Sequence, residues 1–118
     1  MIVIVDFGLG NVESIRYKLL KEGKEVLVSK DKEELQKATK LIMPGVGNFK
    51  KAMINLQNYE IVDVLNELVL KKKIPILGIC LGMQLFFEHS QEGDFQGLGW
   101  IRGQIIKFDS SDTNFKIP

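Results

Sequence analysis

In 118 residues the chain has one cysteine, one histidine, one tryptophan and three prolines. A single cysteine cannot form an internal disulfide, so Cys80 is free, which suits a reducing compartment. Cys80 and His89 together are too few soft ligands for a zinc site, and no metal is expected. Charge of one sign is also missing: sixteen basic residues against fifteen acidic ones leave a net charge of +1. Without a basic excess to hold a polyanion, nucleic acid is not an expected partner. No long hydrophobic run occurs. The longest mostly apolar stretch, Ile74 to Phe87, is too short to span a bilayer and is interrupted by Pro75, two glycines and Gln84. Met1 to Val5 is apolar but stops at Asp6 with no basic segment before it, so it does not read as a signal peptide. The expected compartment is the cytoplasm, with no membrane partner.

What is present is an ordinary globular mixture, 45% hydrophobic and 26% charged. That composition excludes disorder, collagen-like repeats and a disulfide-stapled mini-protein. The length suits one domain and not two. Ile2 to Val5 is an unbroken β-branched run, the pattern of a strand buried on both faces. A glycine-bearing turn, Phe7 to Asn11, leads into a helical pattern with Val12, Ile15, Leu19 and Leu20 on one face, closed by Gly23. Val26–Val28 and Leu41–Met43 read as further strands, the latter stopped by Pro44. Asp31 caps a short helix through about Lys37, and Phe49 to Leu56 reads as another. Ile61, Leu65 and Leu68 line a helix that ends in three lysines, favourable charges at a helix C-terminus. Pro75–Leu77 predicts a fourth strand, Leu81–Glu88 a helix, Ser90–Gly99 a loop and Ile105–Phe108 a strand. Asp109–Asn114 reads as a turn, and Phe115–Pro118 as the start of a further strand. Strands alternating with helices at this spacing predict an α/β domain with a parallel sheet flanked by helices.

The segment richest in chemistry is Gly78-Ile79-Cys80-Leu81-Gly82-Met83-Gln84. It sets a cysteine between a buried strand and a helix, with glycine two residues to either side. This is a nucleophile elbow with cysteine as the nucleophile. A sharp strand-to-helix turn crowds the backbone, and glycine relieves the close approach of neighbouring chain. The sulfur then sits at a helix N-terminus, where thiolate is favoured, and the N–H of Leu81 can point at an oxyanion. Gln84, four residues on, is placed to hydrogen-bond a substrate above the sulfur. The competing reading of Cys80 is a small buried hydrophobe, a common fate of free cysteine.

Two other glycine segments follow strands. In Pro44-Gly45-Val46-Gly47 the backbone can turn N–H groups inward as a second oxyanion donor, or the glycines serve only a tight turn. Asp6-Phe7-Gly8-Leu9-Gly10-Asn11 follows the first strand like a dinucleotide fingerprint, but Glu13 stands where the third glycine belongs and would repel a pyrophosphate. No nucleotide cofactor is expected, and a loop presenting Asn11 at a rim or interface fits better. His89 lies nine residues past Cys80, beyond the end of the expected helix. At 1.5 Å per residue it is about 13 Å away, too far for a general base. Trp100 and Arg102 carry no chemistry that their surroundings in sequence specify.

On these motifs the chain resembles the class I (triad-type) glutamine amidotransferases. Among them it is most similar to the glutaminase subunits of imidazole glycerol phosphate synthase, a histidine-biosynthesis enzyme. The segments Asp6–Asn11, Pro44–Gly47, Gly78–Leu85 and Gly97-Leu98-Gly99 carry the resemblance. It implies a flavodoxin-like fold and a mechanism in which Cys80 attacks the side-chain amide of glutamine to form a thioester. Gly45, Val46, Gly47 and Leu81 would supply the oxyanion hole, and Gln84 would hold the substrate. Ammonia would pass to a (β/α)₈-barrel synthase subunit in a heterodimer, with Asn11 at that interface. No cofactor is implied. The family's triad also needs a His and a Glu from a later strand and turn. No residue here matches either, so residues 1–118 are expected to be the N-terminal part of a single amidotransferase domain, incomplete at its C-terminus. Three alternatives remain at this point: an amidotransferase serving another synthase, for example in surface-sugar modification; a redox or stress module using the elbow cysteine; and a binding domain with an inert Cys80.

Overall fold

The structure is a computed structural model and describes residues 1–108. The elements are β1 (Ile2–Val5), α1 (Val12–Lys21), β2 (Val26–Ser29), α2 (Lys32–Leu35), β3 (Lys40–Gly45), α3 (Phe49–Asn58) and α4 (Val62–Asn66). A π-helical turn (Glu67–Lys71) continues α4 and leads to β4 (Ile76–Cys80), α5 (Leu81–Gln84), β5 (Phe87–Ser90), β6 (Phe95–Gln96) and β7 (Ile101–Ile105). The first four strands form one parallel sheet in the order β2-β1-β3-β4. The expected α/β architecture is therefore present. A second, small sheet has the order β6-β5-β7, with β5 antiparallel to β6 and parallel to β7.

Local chemistry explains the helix starts. Asn11 accepts from the Ser14 N–H, Asp31 from the N–H groups of Glu33 and Glu34, and Asn48 from the Lys51 N–H. Each satisfies amide hydrogens that a helix N-terminus leaves without partners. The strand β1 lies between two neighbours, and Val3, Ile4 and Val5 are fully buried, as its unbroken apolar run requires.

The core is one-sided. Side chains alternate across a sheet, so Val3, Val5, Leu41 and Met43 share a face, and these pack with Phe49, Met53 and Leu56 of α3 and with Leu65 and Leu68. The opposite face carries Ile4, Ile42 and Leu77 in register. Ile4, central in the sheet, is fully buried there, while α1, which packs beside β2, has no buried residue. On β4, which has β3 as its one partner among the described residues, Leu77 is 55% and Ile79 36% exposed.

Several expectations are corrected. Strand β3 does not stop at Pro44 but runs through it to Gly45. The ladder with β1 ends at Ile42, so beyond it only the β4 side of β3 is paired, and a residue without an N–H is tolerated. Strand β4 extends to Cys80 instead of ending at Leu77. The helix expected over Leu81–Glu88 is one turn, because Phe87–Ser90 leaves it to pair with β7. The loop expected over Ser90–Gly99 contains β6, and the strand expected at Ile105–Phe108 lies earlier, at Ile101–Ile105. The turn and strand read over 109–118 lie outside the described residues. Among the described residues no helix is long and apolar enough to cross a membrane.

The one-sided core predicts unequal costs for the same substitution. Leu65→Ala, at a fully buried site, should lower unfolding free energy by about 2–5 kcal/mol, and Leu77→Ala on the open face by less than about 1 kcal/mol. Urea unfolding of both variants checks this.

Candidate active site

Cys80 is the last residue of β4 and the cap of α5, with φ 53° and ψ −122°. A residue with a Cβ adopts positive φ of this kind only under strain of about 1–3 kcal/mol, and such strain concentrates at functional positions. The side chain is exposed and makes no cap hydrogen bond. The reading of Cys80 as a buried hydrophobe is thereby excluded.

The flanking glycines do what the turn demands. A Cβ at Gly78 would lie 2.6 Å from Met83 Cα and 2.6 Å from Phe86 Cζ. A Cβ at Gly82 would fall directly on the Met43 carbonyl oxygen. The elbow is thus wedged between α5 and the end of β3, with backbone on both sides. This is the close approach that the symmetric glycine spacing predicts.

The second glycine segment sits beside the first. Gly45 pairs in register with Cys80 at the carboxyl ends of two adjacent parallel strands, about 4.8 Å apart in a sheet. The carboxyl ends of an open parallel sheet are where ligands of α/β domains bind. The first segment completes the cluster. A Cβ on Gly45 would meet Phe7 Cζ at 2.7 Å and the Leu9 carbonyl at 3.1 Å, and one on Gly10 would meet Gly45 Cα at 3.2 Å. The Val46 N–H donates to the Leu9 carbonyl at 3.2 Å, so it is not free to meet an oxyanion in this conformation. That tie between the first and second segments has no signal in the sequence, because it is a backbone bond between two loops.

The remaining candidates are placed as follows. Leu81 opens α5, where its N–H has no acceptor within the helix. Gln84 closes the turn, half-buried, and its amide makes no hydrogen bond among the described residues. Asn11 is exposed and caps α1. His89 is not beyond a helix but within β5, where Nε2 lies 2.7 Å from Asp94 Oδ1. Trp100 has a defined role that the sequence did not reveal: its Nε1–H donates to Asn66 Oδ1 at 2.7 Å, and its ring packs on Phe86. Arg102 is exposed on β7. Among the described residues no acid or base hydrogen-bonds Cys80, and no cluster of three or more His, Cys, Asp or Glu could hold a metal ion.

The geometry predicts different penalties at two glycines. Gly82→Ala drives a methyl group into backbone and should cost about 3 kcal/mol or more. Gly47→Ala meets open space, and its φ of +115° should cost about 1–2 kcal/mol. Thermal unfolding of the two variants measures the difference.

A family model described as "Glutamine amidotransferase class-I" matches residues 3–109. The chain is 48% identical over 118 residues to "Imidazole glycerol phosphate synthase subunit HisH 2" of Methanococcus maripaludis, covering all of this chain and 58% of that protein. It is also 48% identical over 119 residues to "Imidazole glycerol phosphate synthase subunit HisH 1" of Campylobacter jejuni, covering 59% of it. The chain thus spans somewhat more than half the length of these relatives. A solved structure described as "Crystal structure of glutamine amidotransferase" superposes with a TM-score of 0.76 over 94% of this chain and 59% of the other, at 21% identity, a likeness of fold. With the family model spanning all but the first two and last nine residues, the chain belongs to the class I glutamine amidotransferase family.

Proposed function

We propose that the chain forms the nucleophile-bearing part of a glutaminase subunit that supplies ammonia to a (β/α)₈-barrel synthase making imidazole glycerol phosphate in histidine biosynthesis. The observation that carries this reading is the strained, exposed Cys80, held between Gly78 and Gly82 and in register with Gly45. The relatives' names, with identities of 48%, support the choice of synthase.

In this reading the Cys80 sulfur attacks the side-chain amide carbon of glutamine. The carbonyl oxygen becomes an oxyanion, which the Leu81 N–H and amides of the Gly45–Gly47 segment receive. The Val46 N–H has one hydrogen and spends it on Leu9, so it contributes only after giving up that acceptor. Collapse of the tetrahedral intermediate releases ammonia and leaves a thioester, and water then hydrolyses the thioester to glutamate and restores the thiol. Gln84 is the candidate for binding the substrate's α-amino and carboxylate groups. Asn11, exposed on the loop beside Gly45 and Gly10, is the candidate for contact with the synthase. Both steps need proton transfer. Because no acid or base among the described residues reaches Cys80, turnover requires one from outside residues 1–108.

The decisive experiment is Cys80→Ala in the assembled enzyme. Glutamate release should fall by about a thousandfold or more, while synthase activity with free ammonia is retained. Glutamine-dependent turnover that survives the substitution would falsify the reading.

A further inference from the structure

We infer that Trp100 is a positioning residue for Cys80, acting through Phe86 and the backbone at Gly78. The inference rests on the reading of Cys80 as the nucleophile. The Cys80 side chain makes no cap hydrogen bond, and the helix it caps is one turn long. Its strained backbone must therefore be held by packing against the elbow. The Phe86 ring supplies that packing, with Cζ and Cε2 at 2.6 and 2.7 Å from where a Gly78 Cβ would stand, two residues before the sulfur. Phe86 is in turn backed by Trp100, with ring centroids 5.2 Å apart and planes tilted by 37°.

Trp100 itself is fixed at both ends. Its Nε1–H donates to Asn66 Oδ1 at 2.7 Å, at the point where α4 gives way to the π-helical turn. Its backbone neighbours are laced to the segment that follows α5. The Leu98 N–H donates to Leu85, that of Gly99 to Phe87 and that of Ile101 to Phe86, at 2.8, 3.1 and 2.9 Å. A side chain hydrogen-bonded at its tip and tied at its backbone has little freedom, so it confines Phe86, and Phe86 confines the turn. The path runs from Asn66 through a hydrogen bond to Trp100, through ring packing to Phe86, and from Phe86 to the backbone at Gly78, two residues before Cys80.

Alkylation of Cys80 by iodoacetamide is read on the peptide that carries it. The rate is measured against pH by peptide mass spectrometry of the full-length protein for the wild type, Trp100→Ala, Trp100→Phe and Asn66→Ala. Leu35→Ala, at a buried position in α2, serves as a destabilised control remote from the elbow. Trp100→Ala should slow alkylation at neutral pH by about threefold or more and displace the pH midpoint. Trp100→Phe keeps a ring against Phe86 and loses only the N–H, so it and Asn66→Ala should each show a measurable fall, smaller than about twofold. Leu35→Ala should keep the wild-type profile. A wild-type profile in Trp100→Ala, or an equal change in Leu35→Ala, overturns the inference. Should Trp100→Ala fail to fold, an effect in Trp100→Phe as large as threefold, or none in either milder variant, overturns it as well. Labelling by 6-diazo-5-oxonorleucine is run in parallel on the assembled enzyme. Its failure at wild-type Cys80 removes the glutaminase reading, while the alkylation profiles still decide the part played by Trp100.

Discussion

The Met43 carbonyl occupies the space that a Cβ at position 82 would need, and Phe86 and Met83 occupy the space at position 78. These contacts fix how closely α5 approaches the ends of β3 and β4. Every other feature of the site follows from that distance. Strand β4 reaches Cys80 without bending away, so Cys80 stays in register with Gly45. The turn is then too tight for ordinary dihedral angles, and Cys80 takes a positive φ that turns its side chain out to solvent. The strain of about 1–3 kcal/mol at such a residue persists because the surroundings over-determine it. Here the surroundings are the backbone of Met43, Pro44 and Met83, which cannot change rotamer to relieve a clash, together with the Phe86 ring.

The first glycine segment, Asp6–Asn11, packs against the second. Its resemblance to a nucleotide-binding turn comes from its position after β1, not from phosphate chemistry. In the folded chain Phe7, Leu9 and Gly10 lie against Gly45, and the Leu9 carbonyl takes the Val46 N–H. A loop made to cradle pyrophosphate would present its amides to solvent. This one buries its contacts against a neighbouring loop and accepts a hydrogen bond from it. The glycines at 8, 10 and 47 all have φ values open chiefly to glycine, and each lies in a loop at the carboxyl end of the sheet.

Much of this was legible from residue types. The β-branched run of β1, the cap at Asp31 and the glycine spacing about Cys80 each reflect a local rule that tertiary context did not override. The failures have equally local causes. Leu81–Phe87 is a short apolar run that suits helix or strand by periodicity. What turns Phe87 out of the helix is pairing with Ile101 fourteen residues later, which no window of that length contains. Pro44 ended a strand on paper because proline lacks an N–H. It continues one in the fold because the ladder with β1, which would have needed the N–H, ends at the Ile4–Ile42 pair. The part played by Trp100 depends on Asn66, 34 residues away, and the tie between Leu9 and Val46 involves no side chain at all. Neither leaves a pattern to read.

The one-sided core gives the last constraint. Val3, Val5, Leu41 and Met43 anchor the sheet on the α3 side, while Leu77 and Ile79 on the other face are substantially exposed and α1 buries nothing. Yet the glycine contacts, Phe86 and Trp100 that shape the elbow all belong to the packed side or to loops tied to it. Gly78 faces Phe86, and Leu77 and Ile79 point away. The Cys80 turn is therefore set by the half of the domain whose core is closed. The open face can gain or lose cover without altering the backbone contacts at residues 43, 78 and 82. That separation is why Cys80, with no acid or base bonded to it among the described residues, nevertheless keeps its strained, outward-turned conformation: the turn is held by packing, not by a partner of the sulfur.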